Sequence, residues 1–196
     1  MASSVCNALT KNIVSRKCAT AGGIKTRVWV FQAEDFTGAQ TFNATGALSS
    51  FGLVAGYHAI TATGRPKTSN GSNKLTKPDG GGVSVEQALV IALTYGNQTE
   101  LNAVMDFLRA DGKTVFVETN DGSIRQYFQE FGDGALDGDD GSGTLIGDAS
   151  NTVKATIKGT ESNLPRFFEA VITGQQTQLA ASKAYLDALV AAGAQA

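Results

Sequence analysis

Hydrophobic and polar positions alternate with a period of two along most of this chain, and a period near 3.6 replaces it in two stretches. In "IKTRVWVFQAEDF", Lys25, Arg27, Trp29 and Phe31 stand against Ile24, Thr26, Val28 and Val30. That pattern predicts a strand in a sheet partly covered on both faces. "TFNATGALSSFGL" and "YHAITATG" are two further β-prone stretches, broken at Gly46 and Gly52. The cleanest strand is "VSVEQALVIALTY", with Val83, Val85, Leu89, Ile91 and Leu93 on one face and Ser84, Glu86 and Thr94 on the other. "NTVKATIKG" repeats the pattern, with Val153, Ala155 and Ile157 expected inward and Lys154, Thr156 and Lys158 outward.

The period changes at "NQTELNAVMDFLRADG". Asn97 caps a predicted helix, Glu100 completes a capping box, and Leu101, Val104, Met105 and Leu108 form its apolar stripe up to Gly112. "KTVFVETNDGSIRQYF" follows as a hairpin turning on Asp121-Gly122. Pro165, Phe167 and Phe168 suggest a short anchored segment. A last helix is expected from a cap at Thr173, with Leu179, Leu186, Leu189 and Val190 on one side. Strands and helices do not alternate regularly, so a doubly wound parallel sheet is not expected. The fold class read here is mainly β (α+β): a β-sandwich or half-barrel with one packed amphipathic helix, a long inter-strand loop and a C-terminal helix. Residues 1–21 read as an extended N-terminal arm, 22–172 as the β domain and 173–196 as the C-terminal helix.

Arg65 to Gly82 interrupts this pattern with a small, polar and basic run. A loop of that length inside a compact domain is either functional or a sign of a wrong assignment. It carries Arg65, Lys67, Asn70, Lys74 and Lys77, with Asp79 the opposing acid. It reads either as a solvated excursion or as an arm that becomes ordered against another subunit.

Composition sharpens the picture. The 196 residues include 23 glycines but only 3 prolines, which suits many turns in a β-rich fold. The formal net charge of −2 argues against a general nucleic-acid binder, which needs surplus Lys and Arg to displace counterions. Cys6 and Cys18 fit no zinc spacing and no disulfide framework, so reduced, structural thiols are expected. The opening segment lacks the apolar core of a secretory signal, and no run reaches the roughly eighteen apolar residues of a membrane span. The expectation is a protein kept in a cytoplasm, or released by a route that reads no signal peptide.

Candidate chemistry is sparse. His58 is the one histidine, and on a strand it reads as a packed or solvated side chain rather than a base. No nucleophile elbow, phosphate loop or zinc-protease motif occurs, so the chain is not expected to be an enzyme and no cofactor is expected. Asp137, Asp139, Asp140 and Asp148 superficially resemble a calcium loop. Ser142 stands where the turn glycine belongs and no Glu closes the site, so the 133–148 stretch reads as a solvated turn.

The order of these elements resembles that of bacteriophage tail tube proteins and the inner tubes of contractile injection systems. The likeness rests on "AGGIKTRVWVF", the strand pair split by the long loop, and "VSVEQALVIALTYGNQTELNAVMDFLRADGKTVFVET". The closing "GDASNTVKATIKGTESNLP", with Gly147-Asp148, Gly159, Glu161 and Pro165, adds to it. It covers residues 22 to 170; the Cys-bearing amino terminus and the helix after Gly174 depart from the minimal tube subunit. The resemblance implies a virion tail protein made in a bacterial host's cytoplasm. Its copies would form rings, commonly hexameric, that stack into a DNA conduit alongside other tail proteins. It implies 65–82 as the assembly loop and Glu86 as a lumen-facing candidate, with passing DNA repelled weakly rather than bound. A tail terminator, a capsid decoration protein and a carbohydrate-binding β-sandwich are the alternatives.

Overall fold

In the computed structural model, residues 24–63, 69–77, 82–110, 112–129, 135–136, 143–145 and 152–193 are described. Among these residues twelve strands and two α-helices follow one another: β1 (Ile24–Gln32), β2 (Phe36–Phe42), β3 (Leu48–Leu53), β4 (Ala59–Thr63), β5 (Asn70–Thr76) and β6 (Ser84–Thr94) come first. Then come α1 (Gln98–Arg109), β7 (Lys113–Thr119), β8 (Ile124–Tyr127), β9 (Ala135–Leu136), β10 (Gly143–Leu145), β11 (Thr152–Glu161), β12 (Arg166–Phe168) and α2 (Gln178–Gly193). The protein is mainly β with two helices, as the alternation predicts.

The strands form two sheets. The larger runs β2-β3-β12-β8-β7-β1-β4, and the smaller runs β10-β11-β6-β5, with β9 also on β11. Among the described residues neither sheet closes into a barrel. The two faces of β1 explain its unusual sequence. Val28 and Val30 join Val115, Val117, Leu89, Ile91 and Ile157 in a core between the sheets. Trp29 and Phe31 join Phe116, Phe51, Phe168 and Leu186 in a second core on the opposite face, closed by α2. The larger sheet is thus buried on both sides, which is why it spends apolar residues on successive positions.

The local signals of the sequence materialise with some differences. Asn97 caps α1 by accepting from the Glu100 amide at 2.9 Å, and the Glu100 carboxylate reaches back to the Gly96 amide at 2.6 Å. Phe107, left out of the expected stripe, is the buried residue of this helix, while Val104 and Leu108 pack beside it. Between β7 and β8, Gly122 takes a φ of 82°, which an L side chain rarely adopts. Asp121 accepts from the Ser123 amide and from the Thr119 and Ser123 hydroxyls. Those hydrogen bonds hold its carboxyl well below the usual range, at about 2.

Three expectations need correcting, and one buried polar residue of β6 was not anticipated. The Arg65–Gly82 stretch is not a loop throughout, because Asn70–Thr76 forms β5 along the whole of Ser84–Val90. Thr156 faces the side expected to be solvated and is nevertheless buried. The last helix begins at Gln178 rather than after Thr173, with the Thr177 hydroxyl accepting from the Ala180 amide at 3.2 Å. Gln87 lies within the inward face of β6 and is fully buried. Its amide donates to Asn163 O at 2.9 Å, and its Oε1 accepts from Phe128 N at 2.8 Å. That clamp holds Phe128 at a φ of 58°, a strained conformation for a bulky residue. Cys6, Cys18 and the 133–148 acidic positions Asp137, Asp139, Asp140 and Asp148 lie outside the described residues.

One glycine in β5 has a packing reason. A Cβ on Gly71 would lie 2.5 Å from Tyr127 Oη and 3.0 Å from its Cζ. Gly71→Ala is expected to lower stability by about 1–3 kcal/mol, since the buried ring has little room to withdraw. Urea denaturation checks this; an unchanged midpoint would show that β5 does not rest on β8.

Candidate functional site

The residues singled out as an assembly loop and lumen candidate meet on one sheet edge. β5 pairs antiparallel with β6, and the register sets Lys74 opposite Glu86 and Asn70 opposite Val90. Asn70, Ser72, Lys74 and Thr76 share the outward face with Glu86, so unlike charges are neighbours across the pair. Lys77 follows the strand directly, and all five of Asn70, Lys74, Lys77, Glu86 and Thr76 are exposed. Arg65, Lys67 and Asp79 lie outside the described residues. Gly71, Asn73 and Leu75 take the inward parity with Leu89, Gln87 and Val85. Val85 and Leu89 are buried, yet Leu75 is 59% exposed because nothing described lies beyond the edge. Val83, next to the start of β6, is 50% exposed. The end of the β5–β6 pair is therefore an apolar knob flanked by lysines.

A second feature lies at the β4 end of the larger sheet. A cleft of about 340 Å³ opens between β1, β4 and α1, lined by Val30, Phe31, Ala59, Ile60, Ala103, Phe107 and Ala110. Gln32, His58, Asp106 and Lys113 supply its polar groups. The register puts Ile60 beside Val30, and Ile60 remains 45% exposed on the cleft wall. The Lys113 ammonium is buried at the base, 5.6 Å from the centre of the Phe107 ring. His58 precedes β4, and Asp35 engages it twice, accepting from its amide at 2.6 Å and lying 3.2 Å from Nδ1. The sequence singled out His58 but held no signal for the cleft, which exists only once α1 lies against β1 and β4.

Two charged clusters serve the packing of α2. Glu118 on β7 is buried and receives Lys25 at 2.5 Å and Lys183 at 2.6 Å. Asp187 takes Arg27 at 2.6 Å and the Trp29 indole N–H at 2.7 Å. Among the described residues no group of three or more His, Cys, Asp or Glu side chains is placed to hold a metal ion. No described helix is long and apolar enough to cross a membrane. Comparison with known family models, curated proteins and solved structures returns no match.

Proposed function

We propose that this chain is a self-assembling structural protein, a virion component of the tail-tube kind whose copies join in rings that stack into a tube. The observation that carries this reading is β5. Among the described residues it is an edge strand, exposed at six of its seven positions, that ends the smaller sheet beside an apolar knob. An unprotected edge of that kind is a template for another chain, and proteins that stay single blunt or cover it. A closed ring removes the liability by giving each margin a neighbour. Other tail proteins would contact the outer rings, and DNA would pass without sequence-specific binding. Glu86 on the outward face of β6 is the lumen candidate, where carboxylates would keep DNA from adhering.

Sedimentation velocity and negative-stain microscopy of the purified protein test the reading. Rings or filaments that grow with concentration are expected. A species that remains a monomer at high concentration would sink it. Deleting residues 67–77 is a poor probe, because it would strip β5 from β6. Substitutions of exposed side chains are needed instead.

A further inference from the structure

Building on that assembly reading, we infer that the end of the β5–β6 pair of one copy seats Leu75 and Val83 in the cleft between β4 and α1 of the next. The two surfaces match in shape and chemistry. The knob offers two aliphatic side chains, and the cleft offers an apolar wall of Ile60, Val30 and Phe107 in a volume of ligand-site size. Their charges also complement each other. Lys77 follows Leu75 on the same parity, Lys74 precedes it on the outward face, Asp106 is exposed at the cleft on α1, and none of the three forms an ion pair among the described residues. Lys113 and His58 do not oppose this approach at the mouth. The first is buried against Phe107, and the second is held by Asp35.

The contact joins two different surfaces of the chain. Gly71 of β5 rests on Tyr127 of β8, whereas β4 stands at the far margin of the same sheet, beyond β7 and β1. Three inter-strand spacings, about 14 Å, separate the two. The knob and the cleft are therefore built from different elements, at the ends of different sheets. Two different surfaces in contact either close reciprocally about a two-fold axis or propagate head-to-tail until the rotation closes a ring, and the assembly reading takes the second. β4 is also the last strand of its sheet among the described residues, so an arriving segment meets a free backbone edge beside the cleft.

Two exposed substitutions separate the halves of the contact. Leu75→Lys removes the knob and leaves the cleft; Ala103→Trp fills the cleft and leaves the knob. Each variant, shown folded by circular dichroism and thermal melting, is expected to sediment as a monomer. Their equimolar mixture is expected to give a 1:1 dimer and nothing larger, because one productive contact remains. A mixture that stays monomeric overturns the inference. So does ring formation by either variant at the wild-type concentration, an outcome that leaves the assembly reading standing. A monomeric wild type would overturn the assembly reading itself. A charge swap guards against misfolding of the tryptophan variant. Asp106→Lys should raise the concentration needed for rings about ten-fold. Lys74→Asp with Lys77→Asp in the same chain should restore it. Failure of the swap to restore assembly counts against the pairing.

Discussion

Phe116→Ala will lower the free energy of unfolding by about 3–5 kcal/mol, the largest loss expected from any single truncation in this chain. Phe116 has no exposed surface and sits on β7 at the centre of the core beneath α2. Its ring stacks on Phe51 with centroids 5.2 Å apart and meets Phe31 and Phe168 edge-on at 5.6 and 5.2 Å. Removing it costs the transfer of the ring, three aromatic contacts, and a cavity whose rigid neighbours cannot collapse. A domain of this size holds about 5–15 kcal/mol in total, so the variant will stand near the edge of folding. Phe116→Leu keeps most of the volume and should cost no more than about half as much. Urea denaturation reads both through the midpoint, with the slope unchanged. A loss below about 1 kcal/mol would mean that the four rings do not form one packed unit.

The same core shows what the sequence made legible. Period-two patterning identifies β1, β6 and β11 because each buries its apolar positions in register: Leu89 opposite Ile157, and Ile91 opposite Ala155. The α1 cap and the Asp121-Gly122 turn are legible because they are local, made by side chains within a few residues of the backbone they serve. β5 escapes notice for a physical reason. An edge strand needs few large residues, and "NGSNKLT" keeps Gly71 where Tyr127 leaves no space for a side chain. Gln87 and Thr156 break the polar-out rule because their surroundings come from distant segments. Gln87 is clamped by Asn163 and Phe128.

Strand order was the least legible property. β12 runs parallel to β3, pairing Phe168 with Leu48, and antiparallel to β8, pairing Phe168 with Ile124. No periodicity carries that information. The consequence for function is direct. The residues proposed from sequence, Asn70, Lys74, Lys77 and Glu86, share one exposed margin. The cleft proposed to receive that margin is built from β1, β4 and α1, three elements whose adjacency is tertiary.

Glu118→Gln is expected to cost about 2 kcal/mol at neutral pH and to loosen α2 selectively. Burial alone would push the Glu118 carboxyl up, but hydrogen bonds from Lys183 and Lys25 and their positive charges outweigh it and hold the group below its ordinary value. Lys183 belongs to α2 and Lys25 to β1, so the carboxylate ties the helix to the sheet it covers. Both ammonium groups are partly exposed and can rehydrate when the charge is removed, which keeps the loss below that of a fully buried pair. The sign with pH follows from the lowered value. Because the folded carboxyl binds its proton more weakly than the unfolded one, its contribution is complete above the ordinary glutamate value of 4.5. It is lost as pH falls through the lower folded value. The difference between wild type and Glu118→Gln should therefore be constant from pH 7 to about 5 and shrink towards zero in stronger acid. Asp121, held at about 2, contributes equally to both proteins and cancels. Hydrogen exchange adds the spatial test. Amides of Gln178–Gly193 should lose protection in the variant while those of β6 and β11 keep theirs. A pH-independent difference, or uniform loss of protection across both sheets, would show that Glu118 does not act as the tie between α2 and β7.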